Sequence, residues 1–251
     1  IHIHSGTGRT LGTVPLGAPA DPRLESRTMP RAELHRRLLE DAVSQGIPCE
    51  YRRRLVGAEA TPHGVTARFD DGREERGDVL VGCDGVHSVT RRLIDPAAPT
   101  PRYVGLVNFG GHTPGLSVGE HGAWHMIFGR RAFFGYAADD AGGTAWFANV
   151  PRTQVGAEER RATSLDEWRA QLQELFAGDA GPITALLENG RLELAADNTH
   201  DLLSIPRWSR GPMVVIGDAA HAPSPSSGQG AAMAIEDAVV LAQCLRDRRT
   251  V

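Results

Sequence analysis

The chain has 251 residues, 41% hydrophobic and 23% charged, enough apolar content to bury the core of one large or two small domains. A formal net charge of −4 offers no basic face for nucleic acid or an anionic membrane, and no apolar run approaches the ~20 residues of a bilayer span. Cys49, Cys83 and Cys244 are isolated, with no CxxC, so metal and disulfide readings lack support and a reducing cytoplasm fits.

In chain order, residues 1 to 4 alternate as a strand, Gly6, Thr7 and Gly8 turn, and "TLGTVPLG" continues as strand or loop until the prolines of "DPRLESRTMP" break the pattern. The opening "IHIHSGTGRTLG" has neither the basic nor the apolar region of a signal peptide, and it reads as an internal strand of a longer protein. "MPRAELHRRLLEDAVSQG" predicts a helix: Leu34, Leu38, Leu39, Ala42 and Val43 recur on one stripe, Pro30 suits the start and Gly46 the end. "VTARF" and "DVLVGCDG" read as strands separated by "DDGREERG", with Asp71 and Gly72 supplying a hairpin-type turn.

"VLVGCDG" is a near-continuous apolar run that stops at Asp84 and Gly85 before "VHSVTRRLI" turns helical, as a buried parallel strand followed by a helix does. The same unit recurs at residues 213 to 245, where "MVVIGDAAH" ends in Gly217 and Asp218 ahead of a small-residue turn and a helix. Ligands of open α/β sheets sit at the carboxyl ends of strands, so Asp84 and Asp218 are candidates to accept hydrogen bonds from ligand hydroxyls. The alternative is that each Asp caps its own turn; the matching contexts favour the ligand.

Between these units, "AWHMIFG", "AFFGYAAD" and "GTAWFANV" predict an antiparallel meander with Gly-rich turns. Ser164 and Glu167 form a capping box for the helix "SLDEWRAQLQELFAG", and "GPITALLENG" supplies a short second helix. Residues 96 to 196 thus form an inserted α+β unit reached through "DPAAPTP". Phe133, Phe134, Trp146 and Phe147 can wall an aromatic pocket, but strand spacing weighs towards core for all four. His112, His121 and His125 lack metal-ligand spacing.

The run "GDAAHAPSPSSGQGAAMAIEDA" places Gly228 and Gly230 on either side of Gln229 where a helix begins. Without Cβ atoms these glycines let a ligand approach the free N–H groups of the first turn, where the helix dipole adds roughly half a positive charge. That bare start suits a phosphate or the electron-rich edge of a nucleotide-like cofactor.

Together, "CDGVHSVTR" (Asp84, Gly85, Ser88, Arg91) and "GDAAHAPSPSSGQGAAMAIEDA" (Gly217, Asp218, His221, Pro225, Gly228, Gln229, Gly230, Glu236, Asp237) closely resemble the two internal motifs of single-component, FAD-dependent monooxygenases, the aromatic-ring hydroxylases typified by para-hydroxybenzoate hydroxylase. "MPRAEL" is similar to the segment in which an Arg, here Arg31, reaches the flavin ribityl chain. The resemblance implies an α/β (α+β) fold: a glutathione-reductase-like, three-layer FAD/NAD(P)-binding domain formed by residues 1–95 and 197–251, with an antiparallel β-sheet substrate domain, 96–196, inserted. It implies that Asp218 holds the ribityl hydroxyls, that Gly228, Gln229, Gly230, Ala231 and Ala232 lie under the isoalloxazine, and that Pro225 borders its reactive face. Asp84 and Gly85 would sit in the motif used for FAD and the nicotinamide cofactor.

The implied reaction is reduction of FAD by NAD(P)H, capture of O2 as a flavin hydroperoxide, and hydroxylation of an aromatic or polyketide-like small molecule. Two departures stand out. Ala232 occupies a position where the family often has Asn, and the N-terminal strand–GxGxxG–helix is absent: Gly6, Gly8 and Gly12 are spaced GxGxxxG and start no helix. The chain therefore reads as the family without its first βαβ unit and its C-terminal end. Alternatives are a related flavoprotein (epoxidase, halogenase or prenyl reductase, the halogenase branch lowered by the lack of a WxWxIP segment) or a non-catalytic remnant.

Overall fold

A computed structural model describes residues 1–15, 29–225 and 228–247. The elements run β1 (His2–Ser5), β2 (Thr10–Thr13), α1 (Arg31–Ser44), β3 (Leu55–Thr61), β4 (Gly64–Phe69), β5 (Glu74–Gly77), β6 (Leu80–Gly82), α2 (Val89–Ile94) and β7 (Arg102–Thr113). There follow β8 (His125–Phe128), β9 (Phe133–Ala138), β10 (Thr144–Pro151), α3 (Ala157–Ala162), α4 (Leu165–Phe176), α5 (Ile183–Asn189), β11 (Arg191–Asp201), β12 (Ser209–Arg210), β13 (Met213–Val215) and α6 (Gly230–Asp247). They form two compact units, Ile1–Ile47 with Gly105–Asn198, and Pro48–Val104 with Thr199–Val251.

The first unit is built on a seven-stranded sheet in the order β11-β7-β10-β9-β8-β1-β2. The expected meander is its centre, with β9 and β8 each antiparallel to its neighbour. Residues 1–47 were expected with the cofactor domain, and here the structure differs. β1 pairs parallel to β8, His2 opposite His125 and Ser5 opposite Phe128, while β2 pairs back on β1. An alternating, half-polar hairpin such as "IHIHSGTGRTLGT" gains its missing backbone partners from the meander's edge, and that ties it to this sheet.

Period-two alternation gives the sheet two different faces. Phe109, Phe134 and Trp146 are buried on one, against the rings of Trp168 and Phe176 from α4. The Trp146 indole N–H donates to Thr113 Oγ1, whose hydroxyl donates to Leu186 O on α5. The capping box forms as expected, with Ser164 and Glu167 exchanging bonds at the head of α4. The other face carries Phe133 and Phe147, both only half-buried. The four aromatics are thus divided, two in the core and two on an open face, where strand spacing predicts core for all four. α1 begins right after Pro30 and ends at Ser44, with Gly46 at φ 77° turning the chain away, but it buries no side chain.

The second unit holds two three-stranded sheets, β3-β4-β5 and β12-β13-β6. Gly72, at φ 81°, donates its amide to Phe69 O and turns β4 into β5. The hairpin predicted between "VTARF" and "DVLVGCDG" therefore closes earlier, onto "EERG", and β6 leaves for the other sheet. There it runs parallel to β13, Leu80 opposite Met213 and Gly82 opposite Val215. The core joins Val65, Ile94, Leu202, Ile205, Met213 and Val215 with Ala219, Ala220 and Ala222.

Candidate functional site

Because β6 and β13 are adjacent and parallel, their two strand–loop–helix units finish side by side, and Asp84 and Asp218 follow neighbouring strand ends. The two carboxylates are used differently. Asp84 Oδ1 accepts from the Ser88 hydroxyl at 2.5 Å, while Oδ2 accepts from the amides of Val89 at 2.8 Å and Thr90 at 3.0 Å and from the Thr90 hydroxyl at 3.1 Å. Oδ2 is thus crowded by three donors, while Oδ1 accepts from Ser88 alone. Burial raises the pKa of Asp84, but the bonds from Ser88, Thr90 and Val89 outweigh it, and the carboxyl sits below its ordinary value. This side chain caps the first turn of α2, the alternative weighed from the sequence, and Asp84 is itself exposed. Gly85, at φ 76°, lets the chain reverse behind it.

Arg91 joins the two loops. Its side chain is 1% exposed, Nη2 donates to Val86 O at 2.7 Å and Nη1 donates to Ala219 O at 2.8 Å. One guanidinium thus holds the carbonyls that follow both strands, and burial lowers its pKa. Gly82 is required beside it, since a Cβ there would stand 2.5 Å from Thr90 Cβ.

After β13 the chain makes a 3-10 turn, Gly217–Ala219. Gly217, at φ 60°, donates its amide to Asp237 Oδ2 at 2.8 Å, and the same oxygen contacts His221 Nε2 at 2.7 Å. Asp237, two turns into α6, so fixes both ends of the turn, while the Trp208 ring lies 5.2 Å from the His221 ring. Asp218 projects between buried Gly217 and Ala219 and is itself exposed. Among the described residues its carboxylate accepts no hydrogen bond.

A Cβ on Gly230, the first residue of α6, would stand 3.6 Å from Asp218 Oδ1 and 3.6 Å from Pro223 Cγ. Gly228, at φ 66°, donates to Pro225 O and turns the chain into the helix. Gly228, Gln229, Ala231 and Ala232 are exposed, as is Pro225; Ser226 and Ser227 lie outside the described residues. The amides of the first turn of an 18-residue helix thus emerge beside an open carboxylate. An acceptor for hydroxyls next to the positive end of a helix suits a ligand with a polyol segment joined to an electron-rich group. Arg31 is exposed at the first position of α1 and belongs to the first unit.

His221, Asp237 and Arg91 stood in the sequence motifs without separate roles, and the fold shows them as the supports of the two loops. A pair missed from sequence is His112 with Asp139, 2.5 Å apart across the sheet of the first unit.

Fold and site together define an FAD-binding α/β (α+β) scaffold with several sheets. The family profile described as "FAD binding domain" matches residues 19–248, and the chain belongs to that family. It is 33% identical over 245 residues to the FAD-dependent urate hydroxylase of Klebsiella pneumoniae, covering 93% of this chain and 60% of that protein. It is 33% identical over 220 residues to the aurachin C monooxygenase/isomerase of Stigmatella aurantiaca, covering 86% and 56%. Identity to the 6-hydroxynicotinate 3-monooxygenase of Pseudomonas fluorescens is 29% over 255 residues, covering 97% and 64%. The crystal structure of a single-substitution variant of Klebsiella pneumoniae HpxO complexed with FAD superposes with a TM-score of 0.81 at 29% identity, over 99% of this chain and 65% of that one. The complex of HpxO with FAD and uric acid gives 0.74 at 30% identity, over 87% and 55%. The chain thus spans between half and two thirds of the length of these relatives.

Proposed function

We propose that the protein is an FAD-dependent monooxygenase that uses NAD(P)H and O2 to hydroxylate a planar aromatic or heteroaromatic small molecule. The observation that carries this reading is the open carboxylate of Asp218 beside the bare first turn of α6, 3.6 Å from the place a Cβ of Gly230 would take. The residues fit the cofactor: Asp218 would accept from the ribityl hydroxyls, the amides of Gly230, Ala231 and Ala232 would receive the electron-rich edge of the ring, and Pro225 would border it. When bound, the flavin supplies the redox chemistry, taking electrons from NAD(P)H and passing one oxygen atom of O2 to the substrate.

The chain's part is position and electrostatics. Asp237 and Arg91 hold the loop that presents Asp218, so the acceptor is in place before the cofactor arrives and its binding orders little. The dipole of α6 favours negative charge at its N-terminus, which would stabilise the reduced, anionic ring and ease its formation. The half-buried aromatic face of the sheet in the first unit is proposed as the surface that meets the substrate. Planar substrates suit it, as the names of the relatives, urate and 6-hydroxynicotinate, are in keeping with. Among the described residues no helix is long and apolar enough to cross a membrane; the cytoplasm, which supplies NAD(P)H, is the proposed compartment.

Purified protein should stay yellow through gel filtration, and NAD(P)H oxidation with O2 uptake should rise when one of a panel of phenols and N-heterocycles is added. Protein that remains colourless after reconstitution with FAD contradicts the proposal.

A further inference from the structure

The open face of the seven-stranded sheet carries more than aromatic rings. On β7, half-buried Asn108, Gly110 and His112 alternate with buried Val107, Phe109 and Thr113, so the first three share the open face. Register places His112 opposite Ala145, Gly110 opposite Phe147, and Phe147 opposite Gly135. The Phe147 ring lies over Gly135, where a Cβ would meet it at 2.4 Å, and Trp124 stands 5.8 Å from Phe147. Over Gly110, by contrast, a Cβ would find only Trp146 O at 3.6 Å and Leu194 Cβ at 3.7 Å. A strip of bare backbone therefore runs beside an aromatic ring, with His112 two residues along the same strand.

His112 is oriented on two sides. Its Nε2 lies 2.5 Å from Asp139 Oδ2, and a Cβ on Gly143 would stand 2.6 Å from the same nitrogen, so only glycine leaves the ring its seat. Asp139 Oδ1 accepts from the amides of Ala141 at 2.8 Å and Gly143 at 2.9 Å. The Gly143 amide leads the interactions that hold this carboxyl below its ordinary pKa, against burial and with help from His112. An ionised carboxylate on Nε2 assigns the imidazole proton to Nε2 and leaves Nδ1 as the acceptor. Tying the hairpin tip needs only the two amide bonds, so the imidazole is surplus to that task. A carboxylate-oriented imidazole with its second nitrogen unclaimed among the described residues is the arrangement of a general base.

We propose that a planar ring bearing an acidic O–H or N–H lies over Gly110 beside Phe147 and gives its proton to His112. The O–H or N–H bond breaks with its electron pair left on the ligand, and the proton forms the Nδ1–H bond. The imidazolium then shares its Nε2 proton with Asp139. The ligand becomes an anion, a better electron donor to an electrophilic oxygen; its later oxygenation rests on the hydroxylase reading, whereas binding and deprotonation do not.

The test uses the full chain with 4-nitrophenol, 4-nitrocatechol and 2-hydroxy-5-nitropyridine, whose anions absorb at longer wavelength than the neutral forms. At least one should quench tryptophan fluorescence and, once bound, show an anion-to-neutral ratio about tenfold higher than in free solution at the same pH, the equivalent of one pKa unit. Measured about one pH unit below the ligand's own pKa, His112→Gln should abolish the rise in that ratio with affinity within about threefold, and Asp139→Asn should weaken it. Gly110→Val, which fills the strip without touching the pair, should abolish quenching at an unchanged melting temperature. The proposal is overturned if no ligand quenches, if His112→Gln leaves the ratio as in the wild type, or if Gly110→Val still binds. None of these readouts involves flavin, so a protein that binds FAD but fails here loses only this inference, and one that passes here without binding FAD loses only the hydroxylase reading.

Discussion

Asp84 and Asp218 follow neighbouring parallel strands, each beside a glycine, each ahead of a helix and each exposed, yet one carboxylate is bonded to its own helix while the other accepts no hydrogen bond among the described residues. The distance to the helix separates them. After Asp84, α2 starts within five residues, so its first amides and Ser88 fall within reach of the carboxylate. Asp218 instead lies within a 3-10 turn, α6 begins only at Gly230, and among the described residues no first-turn amide of α6 donates to that carboxylate. The cap of the second loop is supplied from elsewhere, by Asp237 reaching back from α6. Two similar dipeptides therefore divide: one caps the helix that follows it, and the other keeps a carboxylate that accepts no hydrogen bond among the described residues.

That division can be broken at four places. Arg91→Met should have the largest effect, since it leaves the carbonyls of Val86 and Ala219 without their charged donor; a loss of about 3 kcal/mol in urea-denaturation stability is expected. Gly82→Ala drives a methyl into Thr90 and should destabilise by about 1–3 kcal/mol in the same measurement. Asp84→Asn removes a charged cap and should lower stability by about 1 kcal/mol near neutral pH. Its pH dependence sharpens the comparison. The folded carboxyl lies below its ordinary value of 3.8, so its contribution is present above that pH and is lost as pH falls through the lower, folded value. The Asn variant should flatten this part of the acid-denaturation profile. Asp218→Ala should change stability least, within about 0.5 kcal/mol, because the side chain is exposed and accepts no bond among the described residues.

Much of this was legible in the sequence because it is local. The helical period of α1, the capping box of α4 and the paired strand–turn–helix units each lie within a few turns of chain and form where the sequence predicts them, although the apolar stripe of α1 buries no side chain. What escaped is non-local or too short to show a period. β5 hides in a run of charges, "EERG", and is a strand only because β4 pairs with it. The N-terminal hairpin takes its place from β8, more than a hundred residues on. Phe133 and Phe134 are adjacent, so alternation alone puts them on opposite faces, but which face is covered depends on α4 and α5. The role of Asp84 turned on which donors its carboxylate meets, and the pairing of His112 with Asp139 spans 27 positions, beyond any spacing rule.

The loop after β13, and not the loop after β6, is proposed to present the flavin-binding carboxylate. This is tested most directly by titrating FAD into the wild-type chain and into Asp218→Ala, following flavin fluorescence, with the melting temperature recorded for both. The expected dissociation constant is raised by about tenfold or more in the variant, through loss of one hydrogen bond to a charged group, at an unchanged melting temperature. Equal affinities for the two proteins would contradict it.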